Sequence, residues 1–162
     1  MEKRTWNLTH LYKTNEDFEN DLKIVEKYLE NIKKFKGKLN KIDVILDYFR
    51  LDTELSIILD RLAVYAFCKK DDDGKDSVNV KNYDVINNLF SRLGEDLAFA
   101  KVELSKLDEN FLIEMKTDKR FVDFDRTIED IIRYKKHTLS EQQEQMSQGF
   151  LHFHQLMIFF LS

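Results

Sequence analysis

The chain has 162 residues, enough for one ordinary domain or for a part of a larger protein. Hydrophobic content of 43% with charged content of 35% excludes a disordered chain, and a formal net charge of −4 argues against the strongly basic face of a nucleic-acid binder. Cys68 is the single cysteine, so no internal disulfide can form and a reducing, cytoplasmic setting is expected; Met1-Glu2-Lys3-Arg4-Thr5-Trp6 has no apolar signal-peptide core.

Proline, which removes a donor and clashes with the preceding helical turn, is absent. Asn-Gly hairpin pairs are absent too, and the expected class is all-α. Trp6 to Tyr12 read as an arm with aromatic anchors. Thr14 and Asn15 suit a helix N-cap, and Glu16 and Asp17 suit the positive helix start. Phe18, Leu22, Val25, Leu29 and Ile32 follow at spacings of four and three, one apolar stripe. Lys33, Lys34 and Lys36 suit the negative helix end, with Gly37 beyond it. A second helix is expected over Lys41 to Leu51, with Ile42, Ile45, Leu46 and Phe49 inward. Asp52 or Thr53 would cap a third, bearing Leu55, Ile58, Leu59, Leu62 and Tyr65, which ends at the polar run Lys69 to Gly74. A fourth runs from near Ser77 to about Leu107, with Val85, Ile86, Leu89, Phe90, Leu93, Leu97, Val102 and Leu104 apolar. Gly94 inside it predicts a kink or a close helix contact. Asp108 would cap a short helix through Phe111, Leu112 and Met115. A further helix covers about Phe121 to Lys136, using Phe124, Ile128, Ile131 and Ile132. Ser140-Glu141-Gln142-Gln143 fits a capping box that would open another. From Met146 to Ser162 no charged residue occurs. That stretch is too short and too interrupted for a membrane-spanning helix of about 20 apolar residues.

Candidate chemistry is sparse. Asp71-Asp72-Asp73-Gly74 invites a calcium loop, but with Gly74 at its sixth position the first is Lys69 and the twelfth Val80, neither a ligand. A solvated turn between helices is the better reading. His152 and His154 have a ligand-like spacing without a third ligand nearby. Cys68 and His137 could form a thiol–imidazole pair, but nothing in the sequence brings them together, and Cys68, following an apolar helix face, reads as a buried, inert cysteine. His137 and Ser140 lack a nucleophile elbow, and capping accounts for the serine. The lysines from Lys33 to Lys41, with Phe35 among them, weakly suggest phosphate contacts; solvated lysines at a helix end explain them more simply. No His-Glu-x-x-His, phosphate-binding loop or dinucleotide fingerprint is present. No catalytic, cofactor-binding or metal-binding residue is therefore assigned.

Three segments carry a resemblance. Trp6-Asn7-Leu8-Thr9-His10-Leu11-Tyr12 resembles the W-D-L-T-x-L-Y opening of oligoendopeptidase F, with Asn7 in place of the usual aspartate. Leu62-Ala63-Val64-Tyr65-Ala66 resembles its L-x-V-Y-A stretch, and Arg133 to Glu141 resembles its R-x-K-x-H-T-L-S-E segment. The order and spacing agree over roughly residues 5 to 145. The resemblance implies a multi-helix antiparallel array like the N-terminal helical domain of that family. It also implies a cytoplasmic zinc metallopeptidase that hydrolyses oligopeptides, in which these helices form a channel wall limiting substrate access. The zinc-binding His-Glu-x-x-His of the family lies far downstream of the matched region, so the chain would carry no cofactor itself and would be inactive alone.

Residues 1–145 are accordingly read as the helical domain, and 146–162 as an aberrant apolar tail. The expectation is an N-terminal remnant of an enzyme whose gene is frameshifted or truncated near Met146, meeting oligopeptides only in a full-length context. The alternative is a free-standing helical interaction module that pairs with a partner, or with itself, through the tail. Tethering to a membrane surface ranks last, because the tail lacks a basic polar face, and no nucleic-acid partner is expected.

Overall fold

The computed structural model describes residues 6–136. They form five α-helices and one 3-10 helix: α1 (Asn15–Lys33), α2 (Ile42–Asp72), α3 (Ser77–Ser105), α4 (Glu109–Thr117), the 3-10 helix Lys119–Phe124 and α5 (Asp125–Lys136). No strand occurs among the described residues, in agreement with the all-α expectation.

The helix starts are written in local side chains. Thr14 accepts from the Asp17 amide at 3.2 Å while the Asp17 carboxylate accepts from the Thr14 amide at 3.0 Å, a reciprocal cap that satisfies two orphan donors. Asp76 accepts from the Val78 and Asn79 amides to open α3. Asp108 does so for α4, and Asp118 accepts from the Arg120 amide ahead of the 3-10 helix. The α1 stripe buries Phe18, Val25, Leu29 and Ile32, with Leu22 at its edge. After α1, Gly37 takes φ +78°, a left-handed conformation that suits glycine.

One expectation is corrected along α2. The helices expected on either side of Asp52 and Thr53 are a single helix of 31 residues. The Thr53 hydroxyl donates to the Phe49 carbonyl at 2.9 Å, one turn back, instead of capping a new start. No glycine or proline interrupts Ile42–Asp72, and Phe49, Leu55, Leu59, Leu62 and Ala66 stay buried through the supposed break. Gly94 brings no close helix contact, since a Cβ there would meet nothing within 4 Å. The helix expected over Phe121 to Lys136 divides into the 3-10 turn, which buries Phe121, and α5.

Side-chain pairs give the helix directions. Asp21 meets Arg61, Tyr28 meets Glu54 and Phe35 meets Tyr48, so α1 and its exit run antiparallel to α2. Phe67 meets Tyr83 and Tyr48 meets Phe99, so α3 runs antiparallel to α2. Asn15–Asn82, Glu26–Arg92 and Lys33–Asp96 set α1 parallel to α3. An aromatic group lies towards the start of α2. Phe49 stands 6.0 Å from Phe121 and 5.3 Å from Phe124 between ring centres, beside buried Leu112, Met115 and Ile128. At 1.5 Å per residue, α2 is about 46 Å long. It serves this group near one end and, near the other, the rings of Tyr12, Phe18 and Tyr65.

Candidate functional site

The arm is the first feature that the sequence singled out. Leu8 and Tyr12 are buried, and the Tyr12 ring makes edge contacts with Phe18 at 5.7 Å and Tyr65 at 5.1 Å. Its hydroxyl donates to the Asp21 carboxylate at 2.6 Å, and the same oxygen accepts from Arg61 at 3.3 Å. Burial first, and the bond to Asp21 second, push the Tyr12 phenol far above its ordinary value. It therefore stays protonated and works as a latch, not as a proton donor or acceptor. Trp6 is not an anchor in the same sense. The residue is 63% exposed, and the arm is held there by the Trp6 amide donating to Asp72 at 3.0 Å. Aromatic character alone could not distinguish the two residues.

The acidic run joins the last two residues of α2 to the turn that follows, and each of two of its carboxylates has a structural task. Asp72 receives the Trp6 amide, and Asp73 receives the Lys75 amide at 3.1 Å while its carbonyl accepts from the Asn79 side chain. Cys68 is half-buried near the end of α2, and burial, then Asp71 and Asp72, raise its thiol above the ordinary range. A raised thiol carries little thiolate and is a poor nucleophile at neutral pH. His137, Ser140, His152, His154 and the stretch 146–162 lie outside the described residues.

The lysines from Lys33 to Lys41 surround the turn joining α1 and α2. Lys33 pairs with Asp96 at 2.8 Å, and Lys34 donates to Asn31. The turn is fastened by a residue that the sequence did not mark. Glu103 of α3 accepts from the Gly37 amide at 2.6 Å and from the Leu39 amide at 3.2 Å. Nothing local in the sequence announces a contact across more than sixty positions. Asn82 was also missed. It is 4% exposed and donates to the Asn15 side chain at 2.7 Å. It did leave a signal, because it stands at the head of the stripe Asn82, Ile86, Leu89, Leu93, with spacings of four, three and four.

Among the described residues no three His, Cys, Asp or Glu side chains converge where they could hold a metal ion. These residues do not fit a zinc site, and no step through a metal is assigned to them. What the arrangement offers is a set of helices packed on one apolar core. Two of the segments that carry the resemblance meet within it, since Tyr12 of the first lies against Tyr65 of the second. Of the third, Arg133 pairs with Asp130, and the Tyr134 ring lies under the Lys101 amine at 4.0 Å.

The family model described as Oligopeptidase F matches residues 103–150. Group B oligopeptidase PepB of Streptococcus agalactiae is 28% identical over 153 residues, covering 91% of this chain and 25% of that protein. Oligopeptidase PepF of Bacillus subtilis is 25% identical over 142 residues, covering 86% of this chain and 21% of that protein. The chain thus spans about a quarter of the length of the curated relatives that it matches. Among solved structures, a candidate peptidase from Chlamydophila abortus shares the fold with a TM-score of 0.75 and 18% identity, over 88% of this chain and 24% of that one. Across most of its length, the chain is similar to about a quarter of these oligopeptidases, which is consistent with an N-terminal region of oligoendopeptidase F.

Proposed function

We propose that this chain supplies the N-terminal helical wall of an oligoendopeptidase F-type zinc metallopeptidase, where it limits access to the channel and leaves peptide hydrolysis to parts beyond these residues. The observation that carries the reading is the asymmetry of coverage. Relatives named as oligopeptidases match nearly all of this chain, whereas the chain matches about a quarter of them. The sequence holds no His-Glu-x-x-His, the motif that would bind zinc and activate water. A cytoplasmic setting belongs to the same reading and is supported by the lone thiol of Cys68. Among the described residues no helix is long and apolar enough to cross a membrane.

A chimera tests the reading. Residues 1–145 replace the corresponding region of Bacillus subtilis PepF, and cleavage of fluorogenic peptides of increasing length is compared with cleavage of a folded protein. The chimera is expected to cleave short peptides and spare the folded protein, while PepF without its own region loses rate or length selection. If PepF keeps both after losing the region, the wall role is wrong. Chelator-sensitive peptide hydrolysis by the chain alone would equally defeat it.

A further inference from the structure

From Asn31 to Ile42 the sequence carries five lysines and no acid, in a chain whose net charge is −4. The structure places this stretch at the end of the bundle where α1 finishes, α2 begins and α3 finishes. Lys106, just past α3, lies three residues from Glu103, whose carboxylate holds the Gly37 and Leu39 amides. Of the acids here, Asp96 pairs with Lys33 and Asp43 with Arg120, whereas Glu103 holds the two amides and keeps its charge, which offsets one of the remaining lysines. Lys36, Lys38, Lys41 and Lys106 are exposed, and none is paired with a carboxylate among the described residues.

The backbone beneath these charges is fixed. Leu39 is buried, Phe35 packs against Tyr48 at 5.8 Å, and the Lys36 and Lys38 amides donate to the Lys33 and Phe35 carbonyls. Binding at such a turn orders side chains but not backbone, which lowers its entropic cost. Ammonium groups act as point charges without the bidentate geometry of arginine, so this end reads negative charge more than shape.

We propose that the turn between α1 and α2, together with Lys106, is a docking site for acidic peptide segments. The proposal deepens the channel-wall reading by naming a substrate class, because a basic rim raises the local concentration of acidic oligopeptides. Acidic peptide is favoured over nucleic acid because the fixed lysines are few and confined to one turn, and no aromatic ring is exposed among them for base stacking.

The test is fluorescence anisotropy of the full chain with a labelled peptide of about six glutamates, a scale at which charge contacts add and salt screens them. The triple variant K36Q/K38Q/K41Q is expected to weaken binding about tenfold, as is raising salt from about 50 to about 300 mM. The control variant K13Q/K23Q/K27Q is expected to bind as the parent does. A glutamine peptide of equal length is expected not to bind. Equal binding by the parent and the triple variant overturns the proposal, as does tighter binding of a single-stranded oligonucleotide of equal charge. Because binding is read on the chain itself, its failure leaves the chimera result standing, and the reverse also holds.

Discussion

Glu103→Ala removes one carboxylate and strands two amides 64 and 66 residues away. Hydrogen bonds to a charged acceptor contribute about 1.5–3 kcal/mol each, against about 1 for neutral ones. The Gly37 amide is exposed and can turn to water, so most of its share is recovered. The Leu39 amide is part-buried beneath a side chain only 2% exposed, so its loss is felt nearly in full. The sum is about 2 kcal/mol, or a fall of about 4–8 °C in Tm for a chain of this size. Glu103→Gln keeps one carbonyl acceptor and is expected to cost about half as much. Urea denaturation of the parent and both variants measures this as a shift in midpoint with unchanged slope. A Glu103→Ala chain within about 0.5 kcal/mol of the parent, the range of ordinary surface substitutions, would refute the clamp.

Further outcomes follow from the same packing. Gly94→Ala is expected to raise stability by about 1 kcal/mol in the same urea assay, since the added methyl meets open space and alanine favours the helix. Asn82→Ala is expected to cost about 1–2 kcal/mol, and a double-mutant cycle with Asn15→Ala should return a coupling of about 1 kcal/mol. Burial makes the phenols of Tyr12 and Tyr48 harder to ionise in the folded chain than at their ordinary value of 10.0. The unfolded chain therefore releases these protons first, so stability is intact below about pH 10 and falls above it, by up to about 1.4 kcal/mol per pH unit for each tyrosine. Alkaline unfolding followed by circular dichroism measures the fall, and Tyr12→Phe should lessen it; an unchanged slope would show that Tyr12 ionises alike in both states.

The helical class and the α1 cap were legible because both depend on residues within a few positions of each other. Thr14 and Asp17 close their bonds over three residues, and the stripe from Phe18 to Ile32 declares its own face. At Asp52 and Thr53 local chemistry misled, because the same hydroxyl that caps a helix can bond back to the preceding turn. The better guide there was the apolar stripe, which passes through the supposed break on one face. The latch of Tyr12, Asp21 and Arg61 and the clamp of Glu103 join residues far apart in the chain, so only packing reveals them. The arm motif was visible as a pattern, but which of its aromatic rings is buried depends on Phe18 and Tyr65 meeting Tyr12.

The unbroken course of α2 fixes a rotational phase between the two ends of the fold. Each residue turns a helix by about 100°, so one residue inserted near Asp52 would swing Leu55, Leu59 and Leu62 away from α1 and α3 while Ile45 and Phe49 stayed in place. The same insertion beside Gly74 falls in a turn and can be absorbed there. Changes of length are thus tolerated between these helices and resisted within α2, which acts as the common shaft on which both aromatic groups are indexed.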